Sequence, residues 1–300
     1  MKKYYCFAYR DAANAYVRAL DSIGCTRVAK YQDADFVLYD HEDRPEAVRA
    51  FANKPVFIYP HTPYSWFIWD GIVPIARASA NFVCGESAKF GLESFGYPNR
   101  IEVCGFPRGP VLPFCPTRGT KLLFAVAHPV SGDRRFPQPE HYAQHMFVMD
   151  WIVANKKYFS EIRVRYAFEL KDNGFEKYAG EPGIQFERAK MTVADGVASR
   201  DWADIIIAAG TFGYLAIAQG KPTLIYGYKN SRYCTRAGYV KNQNLYQSIM
   251  EFPYYAEDMT AEQILAFRDQ PDPKIEAWKI GHMGGNFDAD KFISVVREFI

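Results

Sequence analysis

His61 stands between Pro60 and Pro63 in the stretch "YPHTPYSWFIWDG", residues 59–71, directly behind the apolar run "PVFIYP". An imidazole changes protonation near neutral pH, so it can take a proton from a hydroxyl. Flanking prolines fix the backbone around it, which suits a positioned base better than a flexible loop does. Asp70, in the same stretch, is a second candidate, to orient His61 or an acceptor. Trp66 and Trp69 read as core residues on one helix face, and Tyr64 with Trp66 can form a flat acceptor wall.

Three further stretches carry possible chemistry. In "AHPVSGDRRF", residues 127–136, a buried strand opens into a glycine-containing loop with His128, Ser131, Arg134 and Arg135. Arginine forks and loop amides suit a diphosphate, although a solvated loop has the same composition. In "GTFGYLAIAQGKP", a strand of isoleucines ends and a helix opens at Thr211, Phe212 and Gly213. Free N–H groups at a helix start, with a hydroxyl and glycines beside them, bind anions. The full G-x-G-x-x-G spacing is absent, so an ordinary helix start is the competing reading. In "YGYKNSRYCTRAGYVKNQNLY", Lys229, Arg232, Arg236 and Lys241 alternate with tyrosines and no acid intervenes. Such a segment holds a phosphate-bearing acceptor or stacks bases, or is a solvated face. The triplets Asp33-Ala34-Asp35 and Asp288-Ala289-Asp290 sit at element starts and read as structural, so no metal site is expected.

The elements that must position these residues alternate. "KYYCFAY", "ADFVLYD", "PVFIYP", "NFVCG" and "IEVCGFP" read as strands, with helices at "DAANAYVRALDSIG", "RPEAVRAFANK" and "ESAKFGLESFG" between them. That order makes a parallel sheet with crossover helices. The proline-rich "PRGPVLPFCPTRGTK" has no periodicity and reads as a linker. Alternation then restarts at "KLLFAVAHP" and runs through "IRVRYAFEL", "IQFERAK", "DIIIAAG" and "PTLIYG", with helices over roughly 140–158 and near 192–202. Two α/β domains follow, residues 1–114 and 115–300, with the last helix a candidate to cross back.

Bulk properties narrow the class. Hydrophobic residues at 49% and charged residues at 23% allow real cores and argue against disorder. A net charge of +2 is too mild to announce a nucleic-acid binder, though it leaves room for a local basic groove. The six cysteines form no C-x-x-C pair, and Cys6, Cys84 and Cys104 lie in apolar runs as small hydrophobes. The start lacks a signal-peptide core and no apolar run reaches bilayer length. A reduced, cytoplasmic chain without a membrane span is expected.

With these segments in order, the sequence resembles the GT-B glycosyltransferase superfamily, and most of all the branch of the CDP-glycerol glycerophosphotransferases and UDP-N-acetylglucosamine 2-epimerases. "YPHTP" resembles the former's first-domain histidine followed by Thr-Pro. "NFVCGESAKFGLESFGYPNRIEVCGFPR" resembles the unit that closes the first domain, and "ADIIIAAGTFGYLAIAQGKPTLIYG" the unit that frames the donor nucleotide. The resemblance implies two Rossmann-like domains facing across a cleft, the first on the acceptor side and the second holding a nucleotide-diphosphate donor. It departs where the family carries a ribose-gripping glutamate: Tyr214, Leu215 and Ala216 stand there instead. The short chain, its tyrosines and its basic loop also resemble phage enzymes that glycosylate modified DNA bases.

The resulting expectation is metal-independent transfer of a sugar from a nucleotide-diphosphate donor to a hydroxyl, with no cofactor beyond that co-substrate. His61 would be the base. His128, Ser131, Arg134, Arg135, Thr211, Phe212 and Gly213 would hold the donor, and Tyr64, Trp66, Arg232 and Arg236 the acceptor. The acceptor stays open between nucleic acid and a polyol or glycan, as does the oligomeric state. A phage-type DNA glycosyltransferase, a CDP-alcohol phosphotransferase, a nucleotide-sugar epimerase and a non-catalytic nucleic-acid-binding protein remain alternatives.

Overall fold

The computed structural model describes residues 1–7, 12–40, 53–60, 78–94, 96–126, 138–167, 174–190, 192–208, 210–226, 252–254, 256–270 and 272–300. In chain order the described elements begin β1 (Lys3–Phe7), α1 (Ala12–Ser22), β2 (Thr26–Arg27), β3 (Phe36–Asp40), β4 (Val56–Tyr59), β5 (Ala80–Val83), α2 (Glu86–Ser94) and β6 (Arg100–Val103). Next come β7 (Lys121–Ala125), α3 (Gln138–Asn155), β8 (Glu161–Tyr166), β9 (Ile184–Arg188), α4 (Val193–Trp202), β10 (Ile205–Ala208), α5 (Gly210–Ala218) and β11 (Thr223–Ile225). The chain closes with α6 (Ala261–Asp269), α7 (Pro273–Met283) and α8 (Ala289–Arg297).

The described residues divide into two compact units. The first takes in Met1–Val111 and Ala277–Ile300, and the second runs from Leu112 to Glu276.

In the first unit, six parallel strands lie in the order β2-β1-β3-β4-β5-β6. All four residues of β4 and of β5 are buried, as expected of strands covered on both faces. One face is an aromatic core in which Tyr16 of α1 meets Phe287 and Phe292 of the tail at 4.6 and 5.0 Å between ring centroids. Phe292, Val295 and Val296 of α8 fall at helical spacing and are buried there, which is why the tail belongs to this unit. The Asp288 side chain caps α8 by accepting from the Lys291 amide at 2.9 Å, so this D-x-D triplet is structural. Asp35, of the other triplet, accepts from the Lys3 amide at 2.7 Å.

The tail also covers the turn between β5 and α2. A Cβ at Gly85 would collide with the Gly281 carbonyl, so only glycine lets the two backbones approach. The strand-like segment after β6 is stitched to the same tail, with the Phe106 amide donating to Gly285 O at 2.9 Å and the Asp288 amide to Cys104 O at 2.8 Å. Cys6, Cys84 and Cys104 are buried here, and burial pushes the Cys84 thiol far up and Cys104 up to about 12. They are packing residues.

The second unit holds five parallel strands in the order β11-β10-β7-β8-β9. The proline-rich stretch before it has no helix or strand, but it is not slack. The Leu112 amide donates to Ala218 O at 2.6 Å and the Cys115 amide to Gly220 O at 2.7 Å, while the Thr117 hydroxyl donates to Asp204 O at 2.9 Å. Prolines cannot donate to a ladder, so the neighbouring residues supply the bonds that pin this extended segment to the unit. No described helix is long and apolar enough to cross a membrane.

Candidate functional site

In the second sheet the helices that come after β7 and β10 cover opposite faces. On one face His145 of α3 lies 5.8 Å from Phe175, whose ring meets Phe124 of β7 at 6.1 Å. On the other, Phe212 and Ala216 of α5 pack with Leu123, Ala125, Ile206 and Ala208. Adjacent parallel strands whose connections diverge open a crevice at their carboxyl ends, where ligands of open α/β sheets bind. One of the candidate stretches stands at this place, since α5 follows β10.

The first turn of α5 is built for close approach. Gly210 has φ +60°, a left-handed conformation that turns the chain from strand to helix. At Gly213 a Cβ would stand 3.0 Å from Ile225 Cδ1 and 3.4 Å from the Ala208 carbonyl, so the missing side chain lets the helix start lie against the strands. Thr211 and Phe212 are half-buried. Backbone N–H groups of such a first turn lack helical acceptors and carry the positive end of the dipole.

Two arginines lie beside the ring of Phe212 in this turn. Ala208, Ala125 and Arg165 are aligned across β10, β7 and β8 in one row at the carboxyl edge. The two alanines leave room for the Phe212 ring, and the Arg165 guanidinium lies 5.1 Å from its centroid. Arg200 of α4 lies 5.3 Å from the same ring and donates through Nε to Gln219 Oε1 at 2.6 Å. Arg165 Nη2 donates to Asp195 Oδ2 at 2.5 Å, and that oxygen also accepts from the Lys190 amide at 3.0 Å. Burial works against the charge on Asp195, yet the Arg165 and Lys190 hydrogen bonds outweigh it and hold the carboxyl below its usual range.

Of the residues singled out from the sequence, Thr211, Phe212 and Gly213 share this edge. His61, Tyr64, Trp66, Asp70, His128, Ser131, Arg134, Arg135, Arg232 and Arg236 lie outside the described residues. The strand before His61 is β4, whose last residue, Tyr59, donates from its hydroxyl to Phe7 O at 3.0 Å. In the first sheet the strand order places the switch point between β1 and β3, one strand over from β4. Tyr214 and Ala216, which the sequence resemblance set where a ribose-gripping glutamate was expected, are buried in the core, and no charged residue stands on α5.

Sequence reasoning missed Arg165, Asp195 and Arg200. A signal existed: a parallel strand buried on both faces is normally a continuous apolar run, and "EIRVRY" breaks it with two arginines on one face. Arg163 stacks on Trp202 at 4.0 Å, so the alternation is a packed ladder of cations over aromatic rings.

No protein-family model matches the sequence, and no curated protein matches it. Solved structures do. A UDP-GlcNAc 2-epimerase from Neisseria meningitidis bound to UDP-GlcNAc superimposes with a TM-score of 0.62 at 10% identity, over 99% of this chain and 100% of that one. The fold is GT-B. Other solved chains that share the fold include a putative UDP-N-acetylglucosamine 2-epimerase from Listeria monocytogenes, with TM-score 0.54 at 11% identity over 96% of this chain and 79% of that one. Sucrose-phosphate synthase from Thermosynechococcus elongatus gives 0.50 at 10% identity, over 94% and 77%.

Proposed function

We propose that the protein is an enzyme acting on a nucleotide-diphosphate sugar, and that it transfers the sugar to a hydroxyl. The observation that carries this is the first turn of α5: a glycine-framed helix start at the switch point of the second sheet, with Arg165 and Arg200 flanking Phe212. Helix-start amides bind phosphate, and the two arginines beside the Phe212 ring hold that turn in place while the amides face a leaving diphosphate. Cationic side chains and a helix dipole can neutralise its charge themselves, so transfer is proposed to need no metal. Arg134 and Arg135, which come after β7 in sequence, are proposed to complete the donor side with His128 and Ser131.

His61, in the segment after β4, is the proposed base that takes the acceptor's proton, with Asp70 to orient it. Tyr64, Trp66, Arg232 and Arg236 are the proposed acceptor contacts. Residues 1–114, joined by the last helix crossing back, form the proposed acceptor-side domain, and the remainder of residues 115–300 the donor domain.

The two epimerases among the structural neighbours favour a second reading in the same fold, inversion of a sugar carbon with no acceptor. A panel of nucleotide sugars tested by thermal shift examines both. A donor at 100 times its dissociation constant stabilises the fold by about 2.7 kcal/mol. Incubating the sugar that binds best, without acceptor, then separates them: a new epimer supports the second reading, and slow hydrolysis or no change the first. No stabilisation by any nucleotide sugar or nucleoside diphosphate would sink both.

A further inference from the structure

The row Ala208–Ala125–Arg165 explains why Phe212 lies where it does. Alanines at two of the three positions leave a shallow trough at the sheet edge, the ring of Phe212 fills it, and Arg165 closes its far end. The guanidinium is held in place. It is only 9% exposed, and its Nη2 is bonded to Asp195, which is itself fixed by the Lys190 amide and by its place in the first turn of α4. That turn is capped in its own right, with the Asp195 amide donating to Thr192 Oγ1 at 3.2 Å. The Arg165 Nε is buried and has no hydrogen-bond partner among the described residues, an arrangement that burial alone would disfavour.

One buried arginine thus links the end of β8, the start of α4 and the start of α5. Both of its contacts with the two helix starts are directional: a charged hydrogen bond to Asp195 and a face contact with Phe212. Resting on the reading that the first turn of α5 receives the donor diphosphate, we propose that Arg165 is the positioning residue of that site. Anchored by Asp195, it fixes Phe212 and so sets the aim of the amides at Thr211 through Gly213. A planar guanidinium is required, because an ammonium has neither the flat face nor the fork that reaches two partners.

The test measures affinity for UDP and for uridine by calorimetry on the full chain, in wild type, Arg165→Met, Arg165→Lys, Phe212→Leu and Arg165→Met/Phe212→Leu. The expected result is at least a tenfold loss of UDP affinity in each single variant, with uridine affinity changed less than twofold. Arg165→Lys should recover little, and the double variant should be no weaker than the worse single one, because both remove the same contact. A folded Arg165→Met protein that binds UDP within twofold of wild type overturns the proposal, as does a double variant whose losses multiply. If Arg165→Met does not fold, Asp195→Asn replaces it in the cycle, with the same expected losses and the same overturning results. Wild type that fails to bind UDP, or any nucleoside diphosphate put in its place, refutes the donor reading and this proposal with it. Binding unaffected by the variants refutes this proposal alone.

Discussion

His282 lies face to face with Trp278, one turn earlier on α7, with ring centroids 4.6 Å apart and planes 27° from parallel. The imidazole is 7% exposed, and burial lowers its pKa from the ordinary 6.5 to about 4. The unfolded chain takes up a proton near pH 6.5, and the folded one only near pH 4. Between those values the unfolded state binds more protons, so stability rises with pH. The contribution of a neutral His282 is complete above pH 6.5, falls as the solution is acidified, and levels off below about 4.

Across that window the loss amounts to roughly 3 kcal/mol at most. Urea midpoints measured from pH 4 to pH 7 should therefore fall on acidification. In His282→Phe, which keeps a ring against Trp278, the acid slope should be shallower by about one proton. An unchanged slope would show that His282 is already charged in the folded protein.

Gly85→Ala should be among the most damaging single-methyl changes in the first unit. The new Cβ would meet the Gly281 carbonyl, a backbone atom that cannot swing aside. Overpacking of this kind costs about 1–3 kcal/mol and here should exceed that range, since two backbones must separate. Chemical denaturation checks it, and a loss below about 1 kcal/mol would mean that the tail docks elsewhere.

A smaller effect is expected at the start of α6. The Gln263 amide donates to Thr260 Oγ1 at 3.3 Å, and the Thr260 amide donates to Gln263 Oε1 at 2.8 Å, a reciprocal cap. Thr260→Ala should cost about 1 kcal/mol. Thr260→Ser should restore most of it.

For the proposed reaction, His61→Ala should lower turnover at least about a hundredfold while leaving donor affinity and melting temperature nearly unchanged. His61→Asn should be as slow if basicity is what matters. Near-normal turnover in either variant with the true acceptor would make the histidine structural and move the search for the base to Asp70.

Excess chelator should leave turnover intact if the arginines and the helix start carry the leaving-group charge. Loss of activity that returns with added divalent ion would overturn metal independence.

Much of the architecture was legible because it is periodic. "VFIY", "ANFV" and "IIIA" are short apolar runs between helix signals, and such runs become parallel strands wherever the chain can cover both faces. The helix start at Thr211 was legible for the same local reason, a strand ending in small residues before a glycine-framed turn. The cap at Asp288 could also be read, since capping needs only a carboxylate at the right end of a helix.

What local pattern could not supply was adjacency between residues far apart in sequence. Sheet order is set by which strands pair, and only that pairing lines up Ala208, Ala125 and Arg165 in one row. Asp195 lies 30 positions from Arg165 along the chain, and no spacing rule links a strand to a helix start beyond the next strand. The return of α8 onto α1, for which the last helix was only a candidate, likewise depends on a long closure, favoured by burying Phe292 against Tyr16. The sequence by itself determined the elements and their faces. Tertiary packing alone decided which faces met, because contact energy is collected only after the chain has closed.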